Sequence, residues 1–382
     1  MSIDLASFLK SFLISASITL ILFSCGKPKR TTNLTEDTSS NTETTYANGF
    51  GFKRHNDYTH LWIIGNDDSS DHFYLVEKNK PIPAEVLGKE TVIRVPVETV
   101  VCTSTTQIPW LDHLDASAMI AGFPDPEFVY SQIQRQRFKN GFLKDIGGPS
   151  GIETEQLVAL RPELVLSFSG RREENVESVL RELRIPLVKT REHLEAHPLG
   201  RAEWIKFMGL MLNKEQQADS IFRLVQQNYL QLLQSSQSHA VRPKVLTGIP
   251  YSGTWYLPGR GSYAAQLFQD SGFDYSWDGQ GNDPILPMSF ETVFQIGLEA
   301  DYWIGISNIP TTKSLLALDA RFSGFKSVAE GTLWTYDRRS LPTGGNDYFE
   351  TAGVRPDLLL NDLITIRTSG DTSRLFFYRR LK

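Results

Sequence analysis

Two stretches of the chain, one in each half, have the same order of a short amphipathic helix followed by an apolar strand. Residues 155–168 read EQLVALRPELVLSF, and residues 291–306 read ETVFQIGLEADYWIGI. Each stretch ends in a continuous apolar run, which is typical of a strand buried on both faces of a parallel sheet. Helices that alternate with such strands predict an α/β fold. The repetition predicts two similar lobes.

A long amphipathic segment separates these two stretches. Between residues 214 and 237, apolar side chains recur at the 3.6-residue period of a helix, at Ala218, Ile221, Phe222, Val225 and Tyr229. About 22 helical residues extend over roughly 33 Å, which is long enough to run along two lobes. We therefore predict two Rossmann-like α/β lobes, at 49–213 and 238–382, joined by one long backbone α-helix at 214–237.

The first lobe is expected to begin with an addition of β-hairpins. Short apolar segments alternate with turn residues between Gly49 and Glu77, which is a hairpin pattern. Residues 92–96 and 97–102 have the composition of a further pair of strands. The sequence therefore predicts a small antiparallel unit in front of the α/β part of this lobe.

The beginning of the chain has the pattern of an export signal. The apolar run from Phe12 to Phe23 is shorter than the roughly 20 residues that cross a bilayer, but it has the length of a signal-peptide core. Cys25 at its end resembles the lipobox of bacterial lipoproteins, which implies cleavage before Cys25 and lipid attachment to its sulfur. We expect a signal peptide at 1–24, a flexible polar tether at 25–48, and a protein on the periplasmic side of the envelope, lipid-anchored to a membrane. An uncleaved anchor and a plain secretory signal are the alternatives.

Composition excludes several classes of function. The net charge of −5 gives no reason to expect nucleic-acid binding. Cys102 is the only cysteine beyond Cys25, so no internal disulfide is expected. His193 and His197 are spaced by four residues but lack a third ligand nearby, and residues 147–151 (GGPSG) lack the lysine of a phosphate loop. We therefore predict no catalytic residue, no metal site and no cofactor.

The segment from Glu155 to Val165 matches the phrase E-x-[LIV]-x-x-L-x-P-[DE]-L-[VI]. With the repeated halves and the long helix, it resembles the substrate-binding proteins of iron-siderophore, haem and cobalamin ABC importers, from about Val97 to the C-terminus. The resemblance implies a monomeric, non-enzymatic protein that binds a ferric siderophore between its lobes and delivers it to a permease. Cobalamin is the second choice of ligand and haem the third. By motif position, Glu155 and Glu291 are implied to dock on the permease.

The ligand is expected in the cleft where loops leave the carboxyl ends of the strands. Aromatic residues in these loops suit flat ligands, and arginines suit carboxylates or phosphate. The candidate ligand-binding residues are Trp110, Tyr130, Arg171, Trp255, Tyr256, Arg260, Asp347 and Tyr348. A competing reading is an extracytoplasmic hydrolase that uses Asp347 and Glu350 as paired carboxylates. A third is a purely structural surface lipoprotein.

Overall fold

The first α/β lobe is built on a parallel sheet of five strands. The computed structural model describes residues 44–65, 69–89, 91–148, 151–168, 174–237, 241–275, 283–307 and 309–382. The strands, in their order across the sheet, are Leu187–Thr190, Leu164–Phe168, Val100–Cys102, Ile120–Phe123 and Lys144–Asp145. All neighbouring pairs are parallel. Val100–Cys102 is central and fully buried, as a strand covered on both faces must be.

The second lobe has a parallel sheet of its own. Its strands, in order, are Val245–Thr247, Tyr302–Ile306, Leu333–Thr335 and the short antiparallel Arg379–Arg380. A separate hairpin of Thr254–Pro258 and Ile285–Ser289 lies in the same lobe. The expected α/β fold with a parallel sheet in each half is therefore present.

Helices precede or follow most of the parallel strands. Those of the first half of the chain are Ile108–His113, Gln132–Lys139, Thr154–Ala159, Glu174–Glu182 and Pro198–Leu212. Those of the second half are Glu215–Ser236, Tyr263–Asp270, Phe290–Glu299, Thr312–Leu318, Lys326–Glu330, Asp347–Thr351 and Pro356–Thr368. Short 3-10 turns occur at Thr105–Gln107, Ser117–Met119, Pro126–Phe128, Glu192–Leu194, Ala320–Gly324 and Thr372–Arg374. None of the described helices is long and apolar enough to cross a bilayer.

The long helix Glu215–Ser236 packs along Pro198–Leu212 on one side and Pro356–Thr368 on the other. Its apolar stripe is buried at the helical period, at Ala218, Phe222, Val225 and Tyr229. The two neighbouring helices belong to different lobes. Their side chains join one apolar core that continues from the N-terminal sheet into the second lobe.

The N-terminal addition is a four-stranded sheet rather than two hairpins. Strands Phe50–Arg54, Thr59–Ile64 and Ser70–Glu77 pair in antiparallel order, and Val92–Val95 then adds in parallel to the third strand. The expected pairing of 92–96 with 97–102 is wrong, because Val100–Cys102 is the centre of the first parallel sheet. A strand with every side chain buried gains more apolar contact there than at a half-exposed edge.

The tether was expected to continue to residue 48, but its last residues are held in place. The Glu203 carboxylate accepts hydrogen bonds of 2.7–3.0 Å from the backbone N–H groups of residues 45–47. The Glu195 carboxylate accepts those of residues 48 and 49 at 2.8–3.1 Å. Two buried carboxylates therefore fix this segment where its polar composition alone predicts a free chain. The proposed signal peptide, Cys25 and the tether up to residue 43 lie outside the described residues.

Candidate functional site

A cleft of about 520 Å³ lies between the two lobes. Its first-lobe wall is formed by His193–Glu195, which follow the strand Leu187–Thr190, and by Arg201 on the helix Pro198–Leu212. The opposite wall comes from loops and helices of the second lobe, including Thr247 and Gly248 at the carboxyl end of a parallel strand. Its volume is in the range of sites that enclose a small organic ligand.

Five tyrosines line the second-lobe wall of this cleft. They are Tyr256, Tyr263, Tyr336, Tyr348 and Tyr378. The rings of Tyr336 and Tyr348 stack with their centroids 4.5 Å apart, and Tyr378 lies edge-on to Tyr348. Burial raises the pKa of each of these three phenols, so the hydroxyls stay protonated at neutral pH. The wall therefore offers flat aromatic surface at Tyr256, Tyr263, Tyr336 and Tyr348, whereas Tyr378 is buried against Tyr348.

The first-lobe wall supplies the positive charge of the cleft. The Arg201 guanidinium lies 3.4 Å from the centroid of the Tyr263 ring and donates a hydrogen bond to the His193 carbonyl oxygen. Burial, with smaller contributions from the charges of Arg201 and Arg191, lowers the pKa of the His193 imidazole to about 4. His193 is therefore neutral at physiological pH. A cation held against an aromatic ring is suited to receive an anionic group of a ligand.

Among the described residues that line the cleft, Glu195 is the one charged residue besides Arg201. Its carboxylate accepts hydrogen bonds from two backbone N–H groups of the N-terminal segment and from Trp204 Nε1 at 2.9 Å. These donors compensate its charge within the protein. A ligand therefore meets a lining that is mostly apolar and aromatic, with the Arg201 guanidinium as its cationic group.

Tyr256 and Tyr348 are the predicted ligand residues that line the cleft. Tyr256 lies on the hairpin strand Thr254–Pro258 and is 52 % exposed. Tyr348 is half-buried in the first turn of the helix Asp347–Thr351. Arg260 is exposed in the loop beside the lining residues Pro258 and Gly261. Arg171 lies outside the described residues.

The prediction of Trp110 and Trp255 as ligand residues is wrong, because both belong to the core. Trp255 is 0 % exposed, donates its indole N–H to the Thr247 carbonyl oxygen at 2.9 Å, and packs against Trp303 and Phe322. Trp110 is equally buried in the first lobe beside other aromatic side chains. Both rings are covered by protein, so neither can stack on a ligand.

Tyr130 and Asp347 lie at a contact between the lobes instead of in the cleft. The Glu350 carboxylate, on the second lobe, accepts hydrogen bonds of 2.8 Å from the backbone N–H groups of Tyr130 and Ser131. Asp347 pairs with Arg339 at 2.5 Å and also accepts from Thr351. Because the carboxylates of Asp347 and Glu350 are buried and occupied by these donors, they do not form the acid–base pair of a hydrolase.

Glu155 and Glu291 occupy corresponding places in the two lobes. Each is exposed in the first turn of a helix, Thr154–Ala159 or Phe290–Glu299, that leads into a strand of the parallel sheet. First-turn glutamates are also favoured by the positive end of the helix dipole. Their exposure leaves both carboxylates accessible to a partner.

Sequence reasoning missed His193, Arg201, Tyr263, Tyr336 and Tyr378. One sequence signal was available for Arg201, because the largely apolar segment 198–212 carries only three charged side chains, at Arg201, Glu203 and Lys206. A cation in such an apolar helix indicates a special role. The three tyrosines come from three separate segments, and only the folded chain brings them together.

Comparison with known proteins places the chain in a family. Residues 100–339 match the periplasmic binding protein family. One uncharacterized lipoprotein of Methanocaldococcus jannaschii is 25 % identical to this chain, over 78 % of this chain and 73 % of its own length. A second one is 27 % identical, over 86 % of this chain and 88 % of its own length.

Solved structures share the fold at low sequence identity. A possible iron-binding (periplasmic solute-binding) protein from Staphylococcus epidermidis has a TM-score of 0.57 at 15 % identity, covering 72 % of this chain and 100 % of that one. A periplasmic haem-binding protein from Pseudomonas aeruginosa has a TM-score of 0.53 at 17 % identity, covering 70 % and 92 %. The periplasmic vitamin B12-binding protein of Vibrio cholerae has a TM-score of 0.51 at 11 % identity, covering 71 % and 96 %. The chain belongs to the periplasmic binding protein family, and it is a non-catalytic, extracytoplasmic substrate-binding protein of an ABC importer.

Proposed function

We propose that this protein captures a ferric siderophore in the cleft between its lobes and delivers it to a membrane permease. The observation that carries the proposal is the lining of the cleft, in which an aromatic wall of tyrosines faces the Arg201 guanidinium. Aromatic surfaces stack on catecholate rings, and a guanidinium compensates the negative charge of a ferric chelate. Solved relatives named as iron-binding and haem-binding share the fold and support this ligand class.

Haem is the second candidate, and the tyrosines favour it specifically. A phenol oxygen is one of the axial ligands that proteins use for haem iron, and the Tyr256 side chain is 52 % exposed in the cleft. No comparable observation on the described residues favours cobalamin, which therefore ranks below both.

The proposal is tested by titrating the purified protein with ferric tris-catecholate and hydroxamate complexes, haem and cobalamin, following each ligand's absorption. We expect saturable binding of a ferric siderophore, and at least a tenfold loss of affinity in Arg201→Gln, since a charge-assisted hydrogen bond contributes about 1.5–3 kcal/mol. The matched control is Arg223→Gln on the exposed side of the long helix, with an arginine side chain 68 % exposed. No saturable binding of any iron chelate would refute the ligand class. Equal affinities of Arg201→Gln and the native protein would remove Arg201 from the site.

We also propose that the mature protein is held at the membrane by lipid on Cys25, as the lipoprotein relatives support. Cys25→Ser removes the acceptor sulfur, so the variant is expected in the soluble fraction after cell breakage. Native protein should partition with membranes and be extracted by detergent. Membrane retention of the serine variant at the native level would contradict the anchor.

A further inference from the structure

The N-terminal sheet has an aromatic outer face whose role is separate from the cleft. Residues 50–95 precede the segment that matches the family, which begins at residue 100. Along the strands Thr59–Ile64 and Ser70–Glu77, alternate side chains enter the core and leave His60, Trp62, His72 and Tyr74 on the other face. The register places His60 opposite Tyr74 and Trp62 opposite His72, so the four rings form a block of two by two.

Two imidazoles of this block face each other through their nitrogens. His60 Nε2 and His72 Nδ1 are 2.9 Å apart, and the ring centroids are 5.1 Å apart. The His60 ring is oriented by Tyr74, which stacks on it at 5.0 Å and 7°, and by Trp62 at 5.3 Å. His72 is exposed, so its side chain can adjust while His60 stays in place. One imidazole of the pair is therefore preorganised and the other is adaptable.

We propose that this pair is a binding site for a first-row divalent cation such as Cu²⁺, Ni²⁺ or Zn²⁺, coordinated by His60 Nε2 and His72 Nδ1. Imidazole nitrogen is a preferred ligand of these ions. Metal–nitrogen bonds of about 2.0–2.1 Å at a tetrahedral angle place the two nitrogens about 3.3 Å apart. The two nitrogens face each other almost head-on, with 2.9 Å between them and 5.1 Å between the ring centroids, so the exposed His72 ring must reorient for both lone pairs to converge on one ion.

Metal binding leaves the number of protons on the two imidazoles unchanged. In the metal-free pair, one nitrogen donates its N–H to the lone pair of the other. On binding, that proton shifts to the second nitrogen of the same ring, so both rings stay neutral and both facing lone pairs coordinate the metal. No oxidant, reductant or released proton is required.

The site is an open one. Among the described residues, no group of three or more His, Cys, Asp or Glu side chains is arranged to hold a metal. Water or a donor from another molecule can occupy the remaining coordination positions. Affinity should then follow the order Cu²⁺ above Ni²⁺ and Zn²⁺ that nitrogen ligands impose.

Trp62 provides a built-in reporter for the experiment. A Cβ atom at Gly51 would lie 2.6 Å from the Trp62 ring, so this indole lies directly across Gly51 and is fixed beside His60. Trp62 is half-exposed, whereas the other described tryptophans are buried. Cu²⁺ bound to the pair should quench Trp62 emission.

The full chain is titrated with CuCl₂ while tryptophan emission is followed, and binding is measured in parallel by calorimetry. We expect saturable quenching, with affinity reduced at least tenfold in His60→Gln and in His72→Gln. Trp62→Phe should abolish the quenching and retain the calorimetric binding. Because His72 is exposed, its glutamine variant should keep the native far-UV circular dichroism spectrum.

His55→Gln is the matched control. His55 is also exposed beside this sheet, but its ring stacks on Tyr58 at 4.3 Å and faces no second imidazole in the described contacts. It should bind Cu²⁺ with native affinity. The proposal is overturned by an absence of saturable binding, by native affinity in His72→Gln, or by an equal loss in His55→Gln.

Discussion

At the scale of single residues, the hairpin strand Thr254–Pro258 divides its neighbours between core and cleft. Trp255 points into the core of the second lobe, where its ring is 0 % exposed, and Tyr256 points to the cleft with 52 % exposed. Successive side chains of a strand lie on opposite faces, so adjacent aromatic residues have different roles here. One maintains the fold, and the other is available to a ligand.

This division predicts that alanine at one position lowers stability and that alanine at the other weakens ligand binding. Trp255→Ala should lower the free energy of unfolding by about 3–5 kcal/mol, because it opens a cavity beside Trp303 and leaves the Thr247 carbonyl oxygen without its donor. Tyr256→Ala should change stability little and weaken ligand binding by about 1–3 kcal/mol. Urea unfolding and ligand titration measure the two quantities.

Tyr251→Ala is the control for this pair, because Tyr251 is 75 % exposed in the adjoining turn and does not line the cleft. It should leave both stability and affinity unchanged. A stable Trp255→Ala protein with weakened binding would reverse the assignment and return Trp255 to the ligand site.

At the scale of elements, the helix Asp347–Thr351 joins the lobes through one buried side chain. The Glu350 carboxylate accepts two backbone hydrogen bonds from residues 130 and 131, across the lobe boundary. Burial raises the pKa of Glu350 to about 8, although the same two hydrogen bonds act in the opposite direction. The contact therefore depends on the protonation state of a single group.

Stability should fall as the pH rises through this range. An acid whose pKa is raised in the folded state binds its proton more tightly there than in the unfolded chain, whose glutamate titrates near 4.5. The folded state is thus favoured at the acid end and loses about 1 kcal/mol per pH unit between about pH 5 and pH 8. Urea unfolding of the native protein should show this slope.

Glu350→Gln removes the titrating group and keeps the size of the side chain. Its stability should change less with pH across the same range than that of the native protein. Other groups that titrate there, such as Asp362, are common to both proteins and cancel in the comparison. Equal slopes would show that Glu350 ionises at its ordinary pKa in the folded protein.

The secondary-structure elements also show which features can be predicted from the sequence and which cannot. The periodic apolar stripe predicted a helix at 214–237, and the helix is Glu215–Ser236. Periodicity is a local property that survives any tertiary arrangement. The placement of Trp255 and of Val100–Cys102 was wrong, because it depends on which distant segments cover a side chain. The gathering of tyrosines from separate segments into one cleft is likewise a property of the folded chain.

At the scale of the whole molecule, the N-terminal segment and the cleft meet at one residue. Glu195 lines the cleft and also holds the backbone of residues 48 and 49, at the end of the proposed tether. Trp204 Nε1 also donates a hydrogen bond to this carboxylate. The segment that leads to the proposed lipid anchor thus enters the folded body beside the ligand cleft.

The exposed glutamates of the two lobes predict how such a body engages a permease. Paired anionic side chains at corresponding positions orient a protein on a cationic surface and increase the association rate more than the affinity. We expect Glu155→Ala combined with Glu291→Ala to abolish uptake of the bound ligand into cells, while the dissociation constant for that ligand remains at the native value. A role limited to the helix dipole predicts instead a stability loss of about 0.3–1 kcal/mol per site with uptake intact.

A second double variant, Glu127→Ala with Glu330→Ala, controls for the removal of two surface charges. Both residues are exposed, and each lobe again supplies one of them. This control should transport ligand at the native rate. Because both double variants lose two negative charges, a difference in uptake between them is due to the positions of the glutamates and not to the net charge. Increasing salt should slow uptake by the native protein, because screening acts on exposed charges. Uptake at the native rate by the Glu155→Ala, Glu291→Ala protein would contradict docking through these residues, and so would loss of its ligand binding.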